Sequence, residues 1–176
     1  EAVLEDRMIA YPFTKSMCCL VTDGGGALIL VAAERAKDFP QKPVYLLGSG
    51  ESTETPMISQ MIDLTSSRAF KMAGARAFLT AGIEHKDVDH LMIYDAFAHL
   101  PLYGLEDLGF CAKGEAGSYI GDGKLRYDQP GGPALNTDGG GLSSNHPGMR
   151  GLFLLLESVR QLRGESTSQV ENAKLA

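Results

Sequence analysis

The segment Asn136-Thr137-Asp138-Gly139-Gly140-Gly141-Leu142-Ser143-Ser144-Asn145-His146-Pro147-Gly148-Met149 constrains this chain more than any other part of it. Three adjacent glycines give a backbone with no Cβ to keep a ligand or another strand away. Asn, Ser and His follow within five positions, and an apolar helical pattern begins near Met149. The pattern reads as a polar loop delivered to a helix N-terminus, with one imidazole at the boundary. Backbone N–H groups at such a terminus have no partner within the helix and point outward. An imidazole beside them can act as a base while the N–H groups hold a developing negative oxygen.

The rest of the chain alternates strand and helix signals. Met17 to Val31 is a mostly apolar run, broken by Asp23 and Gly24 to Gly26, and is expected to be a strand buried on both faces. Ala32 to Lys37 reads as a short helix stopped before Pro40, Pro43 to Gly48 as a second strand, and Ser49 to Pro56 as a loop. The clearest amphipathic helix is Ser66 to Ala81, with Phe70, Ala73, Gly74, Ala77, Phe78 and Ala81 on one face. Ser66 or Ser67 caps it, Gly82 ends it, and its small residues allow a close neighbour. Val88 to Tyr94 is the next strand, with Asp95 at its end, and Leu100 to Leu108 the next helix, with Pro101 in its first turn. Cys111 to Pro133 shows no clear periodicity and reads as a long functional or mobile connection. Leu152, Leu155, Leu156, Val159 and Leu162 form the apolar stripe of the last helix, which Gly164 stops before a polar tail from Glu165 to Asn172. This alternation predicts an α/β layered fold.

Composition narrows the function classes. A chain of 176 residues with 44% hydrophobic residues builds one or two domains with a real core. A net charge of −6 disfavours nucleic acid or anionic lipid as a general partner. No apolar run is long enough to span a bilayer, and no basic signal-like start is present. Cys18, Cys19 and Cys111 are odd in number and lack a framework spacing, so a reducing, cytoplasmic setting is expected.

Several other groups invite chemistry. Tyr94 and Asp95 sit where a strand ends, the place where α/β proteins collect ligand groups; Asp95 also reads as a structural carboxylate holding backbone amides. His85, Asp87, Asp89 and His90 do not follow a defined metal spacing and read as a solvated turn, so no metal site is expected. His99 reads as a helix-start residue. Gly48-Ser49-Gly50 has Thr53 where a dinucleotide loop needs glycine, and neither a P-loop nor a Gly-x-Ser-x-Gly elbow occurs. Thr-Asp-Gly-Gly-Gly appears at Thr22 and again at Thr137, as two separate sites.

The loop from Asn136 to Gly148 resembles the histidine loop of the thiolase superfamily, close to its sterol-carrier or lipid-transfer, acetyl-CoA acetyltransferase-like branch. Asp23-Gly24-Gly25-Gly26-Ala27 is similar to that family's Asp-Gly-Ala-Ala-Ala strand, Tyr94-Asp95-Ala96-Phe97 to its Asn-Glu-Ala-Phe or His-Asp-x-Phe motif, and Glu157 to Gly164 to the helix after its histidine. The resemblance implies a thiolase-like layered fold, a mixed sheet covered by helices. Residues 1–38 would be the tail of the family's N-terminal domain, and 39–176 its C-terminal domain without the last strands. Both ends are then expected to be internal points of a longer chain. The nucleophilic cysteine would lie outside, and the chain alone would not turn over.

The implied activity is acyl-CoA C-acyl transfer, with a coenzyme A thioester as substrate and no permanently bound cofactor. His146 would activate the cysteine and help bind the thioester oxygen. Tyr94 would be the second polar contact at the reacting centre, and Asn136, Gly139, Gly140, Gly141, Asn145 and Pro147 the substrate-binding loop, the glycines letting the backbone approach and Asn136 and Asn145 holding the loop by hydrogen bonds. Tyr94 stands where the family usually has Asn or His, and in this it resembles the thiolase-like aldolases of steroid side-chain breakdown; those generally lack the His-Pro pair kept here. A retro-aldol lyase on a hydroxyacyl-CoA is therefore the first alternative, and a non-catalytic acyl-CoA or lipid-binding subunit the second. The family also implies a homodimer or dimer of dimers and, in the lipid-transfer branch, a small OB-fold partner, with Cys111 to Pro133 as the region to contact it.

Overall fold

The computed structural model describes residues 1–121, 123–129 and 131–176. A short helix α1 (Ala2–Glu5) leads into the antiparallel pair β1 (Met8–Ala10) and β2 (Phe13–Thr14). After a long stretch without ladder come helix α2 (Arg68–Ala81), strand β3 (His90–Leu91), helices α3 (Leu100–Asp107) and α4 (Ala116–Gly121), strand β4 (Ala134–Leu135), the short helix α5 (Gly140–Ser143) and helix α6 (Arg150–Arg163). Strands β3 and β4 are parallel, pairing His90 with Ala134 and Leu91 with Leu135. This pairing carries the site, because each strand runs directly into one half of it. The α/β class is as expected.

Helix α2 follows its sequence signals closely. The Ser67 hydroxyl accepts a hydrogen bond from the Phe70 amide at 3.2 Å, and Gly82 closes the helix at φ 67°. Its small-residue stripe serves close packing. A Cβ on Gly48 would lie 2.5 Å from the Ala77 carbonyl oxygen, and one on Gly74 2.5 Å from a Leu108 methyl group. The segment at Gly48 therefore lies directly on the helix backbone. The apolar core gathers around α3, where Ile93, Leu105, Ala116 and Leu125 are buried together.

Three expectations need correction. Residues 18–32 and 41–55 carry no strand ladder; one isolated bridge joins Cys18 to Phe97. The first run is not buried on both faces either, since Val21, Ile29 and Leu30 are all more than four-fifths exposed. A strand exists through the neighbour that takes its backbone hydrogen bonds, and among the described residues none lies beside 21–31. The connection from Cys111 onward contains helix α4, whose Ala116-Gly117-Ser118 start hides its periodicity.

The third correction concerns α6. Its most deeply buried residues are Arg150, Glu157 and Gln161, while Leu155 is 54% exposed. A polar network replaces the expected all-apolar face at that seam. The Thr137 hydroxyl donates to Glu157 Oε1 at 2.5 Å, and the Ser166 hydroxyl donates to the same oxygen at 2.7 Å. Gln161 Nε2 donates to the Ser168 carbonyl at 2.9 Å, and Gln161 Oε1 accepts from the Val170 amide at 2.9 Å. The network stitches the C-terminal tail to the start of the glycine loop. The buried Glu157 and Gln161 side chains are tolerated because they find these partners.

Candidate active site

The site forms where the end of β3 meets the loop after β4. Strand β3 runs on through Ile93 to Tyr94 and Asp95. Beside it, Asn136 leaves β4 in a left-handed conformation, φ 49°. Its side chain continues the sheet where the backbone turns away: Oδ1 accepts from the Ile93 amide and Nδ2 donates to the Ile93 carbonyl, both at 2.9 Å. Both ends of that amide are engaged by Ile93, so Asn136 anchors the start of the loop.

The glycines then allow a close approach. Gly139 and Gly140 have φ of 92° and 69°, conformations that a side chain disfavours. A Cβ on Gly140 would collide with the Asp95 carboxylate, and one on Gly141 would lie 2.9 Å from the His146 ring. The Gly141 amide donates to Asp95 Oδ1 at 2.7 Å, and the Gly140 amide to Asp138 Oδ1 at 2.9 Å. These two N–H groups are therefore engaged by carboxylates of the site itself. Asp95 is the structural carboxylate that the sequence suggested. Burial pushes its carboxyl above the ordinary value, opposed by the Gly141 amide and the charge of Arg150.

The loop delivers His146 onto Tyr94. The phenol oxygen lies 3.0 Å from His146 Nε2, and the rings meet edge to face with centroids 5.4 Å apart. A phenol O–H donates to an unprotonated Nε2, and an Nε2–H donates to the phenol oxygen; in either arrangement one proton lies between two groups that can each exchange it. Both side chains are partly exposed. Tyr94, just past β3, and His146, in the loop between α5 and α6, thus come together from positions 52 apart.

The N-terminal segment closes one side. The Cys19 amide donates to the Ala96 carbonyl at 2.9 Å and the Leu20 amide to the Gly141 carbonyl at 3.1 Å. The Thr22 hydroxyl accepts from the His146 amide at 2.8 Å. A Cβ on Gly24 would lie 3.4 Å from Pro147, which is buried. The first Thr-Asp-Gly-Gly-Gly copy therefore lies against the loop that carries the second. Thr22 was missed as a site residue, since its only signal is that repeat.

Arg150 was missed as well. Its guanidinium is fully buried, and it donates from Nη1 to Asn145 Oδ1 at 2.9 Å and from Nη2 to Asp138 Oδ1 at 2.8 Å. Asn145, expected to bind substrate, is thereby engaged by Arg150. A signal was available: a cation in the first turn of a helix opposes the helix dipole, so some other partner must hold it there.

The histidine- and aspartate-rich turn before β3 is split among separate tasks. His85 stacks on Phe78 with centroids 4.2 Å apart, and its Nε2 lies 2.6 Å from the Leu108 carbonyl. Asp89 accepts from the Lys174 and Leu175 amides at 2.8 and 3.0 Å. His90 is buried, with Nε2 3.0 Å from the Thr137 hydroxyl and Nδ1 without a partner among the described residues; burial lowers its pKa and favours the neutral ring. Among the described residues no group of three or more such side chains is arranged to hold a metal ion. The cysteines are free, and no helix among the described residues is long and apolar enough to cross a membrane.

Residues 50–176 match the family described as thiolase C-terminal domain-like. The chain is 38% identical over 166 residues to an acetyl-CoA acetyltransferase of Methanocaldococcus jannaschii, covering 93% of this chain and 42% of the relative. It is 35% identical over 167 residues to a steroid side-chain-cleaving aldolase of Thermomonospora curvata, with 93% and 42% covered. Sterol carrier protein 2 of Oryctolagus cuniculus is 31% identical over 183 residues, covering all of this chain and 33% of that protein. A solved structure described as Ltp2-ChsH2(DUF35) aldolase superposes with a TM-score of 0.88 at 33% identity, covering 98% of this chain and 45% of its own. The chain thus spans less than half the length of each of these relatives. The chain belongs to the thiolase superfamily, as a C-terminal domain-like chain of the sterol-carrier-protein-2-like branch.

Proposed function

We propose that this chain supplies the histidine half of an acyl-CoA-transforming active site, and that its reaction is C-acyl transfer of the acetyl-CoA acetyltransferase kind. The observation that carries the reading is the contact between Tyr94 and His146, 3.0 Å apart at the end of the glycine loop. In this reading His146 takes the proton of a cysteine thiol supplied by a part of the protein outside this chain, and the thiolate attacks the thioester carbon. The imidazolium and the phenol then face the oxygen on which negative charge develops. The glycine amides are bound to Asp95 and Asp138, so this oxygen site depends on side chains. The test is acyl-CoA turnover by the protein carrying this chain. His146→Ala is expected to abolish thiolysis and condensation; unchanged turnover would favour a non-catalytic acyl-CoA-binding subunit instead.

The tyrosine supports a second reading, a retro-aldol lyase on a hydroxyacyl-CoA. His146 Nε2 is engaged by the Tyr94 phenol, so the pair can work as one base. The phenol oxygen takes the hydroxyl proton of the substrate, the phenol proton passes to Nε2, and the carbon–carbon bond breaks to a carbonyl product and a thioester enolate. That enolate is then protonated at carbon. The similarity to chains described as aldolases supports this reading. Loss of carbon–carbon cleavage in Tyr94→Phe, with acyl-CoA binding retained and no thiolysis in the wild type, would select it. A partner subunit suits either reading, since the solved relative is described as Ltp2-ChsH2(DUF35).

A further inference from the structure

We propose that Arg150 is a positioning residue for His146, fixing the loop that holds the imidazole against Tyr94. Arg150 is 0% exposed, and among the described residues its side-chain partners, Asp138 and Asn145, lie in the loop that precedes it. Its Nη1 stands 2.7 Å from Asp138 Oδ2 and donates to Asn145 Oδ1 at 2.9 Å, while its Nη2 donates to Asp138 Oδ1 at 2.8 Å. Asp138 precedes the glycines and Asn145 abuts His146, so one guanidinium ties both ends of the loop to the first turn of α6. The tie continues inward: Asp138 Oδ1 also accepts from the Gly140 amide, and Gly141 rests on Asp95 and against the His146 ring.

A merely structural explanation accounts poorly for this residue. Among the described residues its Nε is buried without a partner, and its charge stands at the positive end of a helix. A buried ion pair is often no more stabilising than apolar residues of the same volume. What the planar, two-pronged guanidinium adds is a fixed geometry that neither a methionine nor a single ammonium reproduces.

The kinetic readout rests on the acyl-CoA reading above; the structural readout does not. Arg150→Met and Arg150→Lys are made in the protein carrying this chain and checked for folding by circular dichroism. Displacing a reacting group by about 1 Å costs on the order of 100-fold in rate. The expected result is a fall in kcat of about 10- to 100-fold, with KM nearly unchanged. Faster amide exchange over residues 138–146 and a shifted His146 imidazole resonance are expected alongside it. Wild-type kcat and exchange in folded variants would overturn the proposal. If Arg150→Met does not fold, wild-type kcat in Arg150→Lys overturns it alone. Should the wild type show no acyl-CoA turnover, the reading above fails, while altered exchange and imidazole resonance in the variants still support the positioning role.

Discussion

Replacing Gly140 with alanine tests the packing that builds the site. Two effects add. First, Gly140 has φ 69°, and an alanine held there costs about 1–2 kcal/mol because its Cβ crowds the following carbonyl. Second, the new Cβ would collide with the Asp95 carboxylate, so the loop or Asp95 must move. That movement breaks the 2.7 Å bond from the Gly141 amide to Asp95 Oδ1, and a buried hydrogen bond to a charged acceptor contributes about 1.5–3 kcal/mol. The expected destabilisation is about 2.5–5 kcal/mol. Urea denaturation measures it as a lower midpoint at unchanged slope, by about 1 M or more for a typical small-protein slope. Gly151→Ala is the control of opposite sign. Nothing lies within 4 Å of its added Cβ, and it stands in helix α6, so the change should be neutral or stabilising by up to about 1 kcal/mol. A Gly140→Ala protein within about 0.5 kcal/mol of wild type, with Gly151→Ala behaving as expected, would refute the account of the loop.

Two further outcomes are expected. Gln161→Ala removes the acceptor of the Val170 amide and a donor to the Ser168 carbonyl, so it should destabilise by at least about 2 kcal/mol and speed amide exchange in the tail from 165 to 172; an unchanged denaturation midpoint would contradict the buried network. Burial holds the Asp95 carboxyl above its ordinary 3.8, so the folded state keeps that proton to higher pH than the unfolded state does. The associated stability is full below the unfolded value and is lost as pH rises through the folded one. Compared with Asp95→Asn, wild type should therefore lose stability as pH climbs from about 4, and the opposite slope would show that the Gly141 and Arg150 contributions outweigh burial.

Much of the fold was legible because its signals are local. Ser67, Gly82 and the small-residue face of α2 specify that helix within its own sequence. His146 and Tyr94 were legible through flanking motifs, although their meeting depends on the parallel register of β3 and β4. The strands predicted at 17–31 and 43–48 failed for the complementary reason: apolar runs mark where a strand can form, while the neighbour that completes it is not encoded in the run itself. Residues Glu157 and Gln161 were read past in favour of the leucines around them. Their burial follows from partners at Thr137, Ser166 and Val170, which no helical periodicity reveals. The Gly140 and Gly141 amides are taken by Asp138 and Asp95, a pairing that follows from the fold and not from any local pattern.

The measurement that bears most directly on the account is a double-mutant cycle on kcat in the protein carrying this chain, using Tyr94→Phe, His146→Ala and the pair together. If the phenol and the imidazole act as one unit across their 3.0 Å contact, the double variant will be no slower than the slower single variant. Losses that multiply independently would mean that the two side chains act separately, and the paired site described here would be wrong.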